Sequence, residues 1–259
     1  MPKFAANLSM MFTELDFLDR FEAAAKAGFK GVEYLFPYDF DKDELAGLLK
    51  ANGLKQVLHN LPAGNWAAGE RGIACLPDRV GEFKDGVGQA IDYAKALGCP
   101  QLNCLAGKIP DGVSPEEAHS TLVANLTFAA EELSKAGIKL LVEPINHFDI
   151  PGFAVTTSTQ GLAIISAVGS DNLFLQYDIY HMQRMEGELA NTMQANLALI
   201  PHIQLADNPG RHEPGTGEIN YSFLFRFLDQ IGYDGWIGCE YAPANGTEAG
   251  LGWLAPYQS

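Results

Sequence analysis

Four residues in the second half of the chain, Glu143, Asp178, Gln204 and Glu240, have side chains suited to holding a divalent cation. Each sits near the end of a short apolar run: Lys139-Leu140-Leu141-Val142-Glu143, Leu173-Phe174-Leu175-Gln176-Tyr177-Asp178, His202-Ile203-Gln204-Leu205 and Ile237-Gly238-Cys239-Glu240. Side chains alternate between the two faces of a strand, so orientation can be read from parity. If Leu140 and Val142 face outward, Glu143 faces inward. The apolar set at 173, 175, 177 and 179 leaves Gln176 and Asp178 on the opposite face, Ile203 and Leu205 leave His202 and Gln204 there, and Ile237 and Cys239 leave Glu240. Taken singly, each is also readable as an ordinary strand-end polar group satisfied by the backbone. Taken together, three carboxylates in one partly buried place raise one another's pKa or destabilise the fold unless something compensates them. A cation does so most simply, and three carboxylates with an amide oxygen suit Mg²⁺ or Mn²⁺ better than Zn²⁺.

Such convergence needs a frame. Strand-like runs at 4–9, 32–36, 55–61, 101–107, 139–146, 173–181, 201–207 and 235–243 alternate with segments of helical period, the pattern of repeated βα units. Eight units within 259 residues predict one domain, 1–259, folded as a single (β/α)8 TIM barrel of the α/β class. Neighbouring strands lie ~4.8 Å apart, close enough for residues at similar height on the fifth to eighth strands to meet in the barrel mouth. Helix punctuation is legible: Thr13 is a candidate cap for a helix running toward Gly28, Ser114-Pro115-Glu116-Glu117 opens one ending near Gly137, and Thr247-Glu248 opens the last. Gly98 and Gly232 stand where chains leave helices. Two long loops, 61–77 and 207–220, follow the third and seventh strands on the face where βα loops meet.

Composition narrows the partners. The net charge of −15 and the lack of a basic stripe argue against nucleic acid, and an anionic substrate would need local cations or a metal to offset that field. No apolar run reaches the ~18 residues of a membrane span. The N-terminus reads as a strand rather than a leader, which predicts a cytoplasmic protein. Cys75, Cys99, Cys104 and Cys239 show no metal-knuckle spacing and read as reduced, mostly buried thiols.

Several longer segments carry a resemblance. They are Phe4-Ala5-Ala6-Asn7-Leu8-Ser9-Met10, His59-Asn60-Leu61-Pro62-Ala63-Gly64, Ala68-Gly69-Glu70-Arg71-Gly72, Val142-Glu143-Pro144-Ile145-Asn146, Gln176-Tyr177-Asp178-Ile179-Tyr180-His181-Met182-Gln183 and Arg211-His212-Glu213-Pro214-Gly215-Thr216-Gly217-Glu218-Ile219. Over essentially its whole length the chain resembles the xylose-isomerase-like family of barrels, and within it the members that isomerise hydroxypyruvate. The resemblance implies interconversion of hydroxypyruvate and 2-hydroxy-3-oxopropanoate, with Glu143 and Glu240 as the acid/base pair and Glu143, Asp178, Gln204 and Glu240 around the metal. Many relatives carry histidine where Gln204 stands, so the identity of the metal is less defined by this set. Removing a proton α to a carbonyl and returning it to the next carbon suits two positioned glutamates. A longer 2-oxo sugar acid or a ketose would undergo the same enediol chemistry in a wider pocket; abasic-site endonucleases share the barrel but use a histidine-rich multi-metal set.

The substrate carboxylate needs donors, and His59, Lys108, His181 and Arg211 lie near strand ends. Arg211 leads, because a guanidinium grips a carboxylate through two bonds, although a local pair with Glu213 or Glu218 would also explain it. Glu33 is expected to point inward but, being distant in strand order, to play a structural or supporting part. Trp66 is read either as a lid or as a loop anchor.

Overall fold

The computed structural model describes residues 1–257. Eight parallel strands close on themselves in sequence order: β1 Lys3–Asn7, β2 Gly31–Glu33, β3 Lys55–Asn60, β4 Gln101–Cys104, β5 Lys139–Val142, β6 Leu173–Asp178, β7 His202–Leu205 and β8 Trp236–Cys239, with β8 pairing back onto β1. The helices α1 Arg20–Lys26, α2 Lys42–Asn52, α3 Val80–Leu97, α4 Pro115–Lys135, α5 Ser158–Val168, α6 Ile179–Met185, α7 Leu189–Ala195 and α8 Tyr221–Gln230 occupy the connections. This is the expected (β/α)8 barrel.

The strands stop earlier than the apolar runs suggest, and the stops matter to the site. β5 ends at Val142, just ahead of Glu143 and Pro144, whose missing N–H ends pairing. β6 ends at Asp178, which turns directly into α6 by accepting the Tyr180 and His181 amides. Ser114 caps α4 as expected, through the Glu117 amide. Thr13 caps nothing: α1 starts only at Arg20, after a short 3-10 turn at Phe17–Asp19. Thr247 instead ties the ends of the chain together, accepting from the Phe12 amide at 2.6 Å and donating to Glu14 at 3.2 Å. The 3-10 segment Glu248–Tyr257 that follows lays Trp253 and Tyr257 edge-on to Phe4 and closes the outer layer over β1.

Inside the barrel, Ala5, Val57, Leu58 and Leu141, with Phe174 and Trp236, form an apolar plug towards the strand N-termini. Glycine makes room where the plug crowds: a Cβ on Gly31 would lie 2.7 Å from the Trp236 ring. Above the plug the interior turns polar, and that layer is the site. All four cysteines are buried and unpaired. No helix among the described residues is long and apolar enough to cross a membrane.

Candidate active site

Glu143, Asp178 and Glu240 converge at the C-terminal mouth, and His181, from the first turn of α6, joins them. One ligand atom from each of the four lies within 4.8 Å of the others. All four are buried. Glu143 accepts from Asn103 Nδ2 at 2.8 Å. Asp178 uses Oδ1 as the α6 cap, accepting from Tyr180 N at 2.7 Å and His181 N at 3.4 Å, while its buried Oδ2 has no hydrogen-bond partner.

Burial sets the electrostatics. It pushes the Glu143 carboxyl well above its ordinary range, helped by the charges of Glu240 and Asp178. Burial also lifts Asp178 to about 6 and Glu240 to about 8, in both cases against the pull of Arg211. Arg211 Nη2 lies 2.5 Å from Glu240 Oε2, and Nη1 lies 3.8 Å from Asp149 Oδ2. The local pair with Glu213 or Glu218 is therefore not formed by this side chain. Its backbone has φ +56° and its guanidinium lies 5.2 Å from the Tyr180 ring centroid. Asp207 staples the loop that presents it, accepting from the amides of Asn208, Gly215, Gly217 and Ile219.

The protonation of His181 follows from its neighbour. Asn146 Oδ1 accepts from the Asp149 amide at 2.8 Å and its Nδ2 donates to Asp149 Oδ2 at 3.1 Å, which fixes the amide orientation. That same Nδ2 sits 2.6 Å from His181 Nδ1, so Nδ1 is the acceptor and Nε2 carries the proton. Burial and the two nearby arginines hold His181 well below its ordinary pKa, so the ring is neutral. Nε2–H faces Asp178 Oδ2 at 3.6 Å and Glu143 Oε1 at 3.9 Å. In this arrangement His181 offers Nε2–H as a hydrogen-bond donor towards the two carboxylates.

Gln204 is in register with Asp178, at the expected height. Its Nε2 donates to Glu33 at 2.8 Å and its Oε1 accepts from Gln176 at 2.6 Å. Glu33, expected to stand apart, is beside this group, because closing β8 onto β1 brings β2 round to face β7.

His59 is not brought to the cluster, correcting its expected contact with substrate. A register shift between Val32 and Glu33 lets β3 bulge, after which His59 pairs with outward Leu102 and Asn60 with inward Asn103. The His59 ring stands edge-on to Tyr38 at 6.1 Å, and burial lowers its pKa to about 3. Lys108 is exposed on the loop after β4, where its backbone bridges to Phe153. Trp66 packs on Phe36 and Arg71, an anchoring arrangement. Asn7, Asn103, Asn146 and Asp149 also belong to the site, beyond the candidates the sequence offers. Parity would have flagged Asn7, between Ala6 and Leu8, and Asn103, between Leu102 and Cys104; Asn146 and Asp149 lie past a strand end, where alternation says nothing.

The donor set suits a divalent cation. Three buried carboxylates share one place with the Arg211 guanidinium beside them, and the Asp178 Oδ2 lone pairs are unused among the described residues.

Comparison with known proteins agrees with this architecture. Residues 21–257 match the family described as Xylose isomerase-like TIM barrel. The chain is 60% identical over 258 residues to the hydroxypyruvate isomerase of Escherichia coli (strain K12), covering 100% of both chains. It is 50% identical to a 2-oxo-tetronate isomerase of Cupriavidus necator, covering 99% of each. A crystal structure titled AP endonuclease, family 2, from Brucella melitensis superposes with a TM-score of 0.97 at 46% identity, covering 100% of both chains. This chain belongs to the xylose isomerase-like TIM barrel family.

Proposed function

We propose that this chain is an isomerase that interconverts hydroxypyruvate and 2-hydroxy-3-oxopropanoate. The observation that carries the reading is the pair Glu143 and Glu240, two buried carboxyls gathered with Asp178 and His181 within 4.8 Å, with Arg211 beside Glu240. Two carboxyls facing one small molecule can take a proton from one carbon and return one to its neighbour, which is what this isomerisation requires.

One glutamate takes a proton from C3 of hydroxypyruvate, leaving an enediolate across C2 and C3. A proton returns to C2, and the C3 hydroxyl proton moves to the C2 oxygen, so the C3 oxygen becomes the aldehyde carbonyl. The neutral His181 Nε2–H is placed to donate to a substrate oxygen as charge develops there. The buried Arg211 Nε has no partner among the described residues and is a donor available to the substrate carboxylate, with Lys108 on the rim as a further cation. Glu143, Asp178 and Glu240, with Gln204 as amide donor, would hold Mg²⁺ or Mn²⁺, which would supply Lewis-acid stabilisation of charge developing on the substrate. The partner is a small molecule, and the unpaired buried thiols suit a reducing cytoplasm.

A second reading, isomerisation of a 2-oxotetronate, is favoured by relatives 50%, 45% and 43% identical that carry that name. A cavity of about 710 Å³ lies at the same end of the barrel, lined by Ser9, Leu35, Phe36, Pro62 and Trp66 among others. Purified protein with Mn²⁺ is given hydroxypyruvate or a 2-oxotetronate in D₂O, and products are read by proton NMR. Preferred turnover of hydroxypyruvate with deuterium gained at the product C2 is expected. Turnover confined to the four-carbon acid would replace the first reading by the second, and cleavage of abasic DNA without isomerisation would overturn both.

A further inference from the structure

Among the described residues, Glu33 is the one buried carboxylate of the barrel strands that the chemistry above does not use. It is fully buried and accepts from three side chains on two other strands: Asn7 Nδ2 at 2.9 Å, Gln204 Nε2 at 2.8 Å and His202 Nε2 at 2.7 Å. Asn7 Nδ2 also lies 3.4 Å from Glu240 Oε1. The barrel makes space for this group: a Cβ on Gly238 would lie 2.3 Å from both Glu33 carboxylate oxygens. Burying a carboxylate is costly, and an apolar residue would fill the same volume more cheaply, so the placement asks for a reason beyond packing.

The amide of Gln204 supplies one. Its two ends are nearly identical in shape, and rotation by 180° would exchange oxygen and nitrogen. Glu33 can only accept, as can the Gln204 oxygen, so the rotated amide would set two acceptors against each other and two NH₂ groups, those of Gln204 and Gln176, face to face. We infer that Glu33 is a positioning residue for the cation site, locking the Gln204 amide so that its carbonyl oxygen is the end kept off Glu33. This rests on the metal-assisted reading given above.

Metal-stripped wild type, Glu33→Gln, Gln204→Ala and the double variant are titrated with Mn²⁺, free ion being read by EPR, with circular dichroism confirming the fold. Replacing such a supporting group weakens metal binding by roughly 10- to 100-fold, so Glu33→Gln should raise the Mn²⁺ Kd by that factor in wild type. In the Gln204→Ala background it should change Kd less than about threefold, because the coupling runs through the amide. Equal losses in both backgrounds, or none in wild type, would overturn the inference. Wild type that binds no Mn²⁺ would instead sink the metal reading itself. Should Glu33→Gln not fold, glutamine-labelled wild type still decides: the side-chain NH₂ of Gln204, assigned by its loss in Gln204→Ala, should exchange with water far more slowly than exposed glutamines. Exchange at the exposed rate would refute the lock.

Discussion

Replacing Arg211 with glutamine tests how the apo site tolerates three carboxylates. The guanidinium touches Glu240 at 2.5 Å and lowers the proton affinity of Glu143, Asp178 and Glu240 alike. Breaking a fully buried ion pair from one side costs ~3–5 kcal/mol. About a quarter of the Arg211 side chain (26%) stays exposed, which places the loss nearer ~2–3 kcal/mol. For a chain of this size that corresponds to a fall in thermal midpoint of about 5–10 °C.

The loss should depend on pH in a definite direction. A carboxyl whose folded pKa is raised binds more protons folded than unfolded, so it destabilises the fold as pH climbs from its ordinary value through the raised one. For Glu240 that window runs from 4.5 to about 8. Without Arg211 the carboxyls are raised further, so the deficit against wild type should be small near pH 5 and largest at pH 8 and above. Differential scanning fluorimetry at both pH values, with EDTA and with excess Mn²⁺, checks this. Mn²⁺ at ~100 times its Kd adds ~2.7 kcal/mol and takes over the compensating charge, so the loaded variant should recover most of the loss. A deficit of the same size at pH 5 and pH 8, or one that Mn²⁺ leaves untouched, would refute the assignment of Arg211 as the site's counter-charge.

Glu143→Gln and Glu240→Gln should each lower kcat about 10²- to 10⁴-fold while the fold is kept; near wild-type turnover in either removes it from the acid/base pair. Binding of Mg²⁺ or Mn²⁺ must displace protons from carboxyls lifted to about 6 and about 8, so affinity measured by calorimetry should tighten between pH 5 and 8, roughly tenfold per unit for each proton displaced, and a flat profile would contradict the assigned ligands. Lys108→Ala should raise KM for hydroxypyruvate with kcat and thermal midpoint kept, its side chain being exposed; an unchanged KM takes Lys108 out of substrate binding.

The second half of the barrel was legible because its strands are regular. From β5 to β8 no register shift intervenes, so alternation counted from the apolar residues put Glu143, Asp178, Gln204 and Glu240 on one face, and the register pairing of Asp178 with Gln204 follows. The first half breaks that rule at one point. The shift between Val32 and Glu33 moves β3 by a residue, and His59, polar and at a strand end like the others, faces the helices instead. No residue type announces such a bulge, since it arises from how two strands meet rather than from either alone. Closure hid Glu33 for a related reason: counting along the chain makes the second and seventh strands remote, whereas a closed ring sets them across a narrow interior where a carboxylate at position 33 can reach amides at 7 and 204 and an imidazole at 202. The protonation of His181 belongs to a third kind. It depends on Asn146, which depends on Asp149, two side chains on the loop after β5 and one in the first turn of α6, whose order only the folded chain establishes. The residues of the cluster could thus be found by periodicity, but which atom of each faces the chemistry is decided by neighbours that periodicity does not reach.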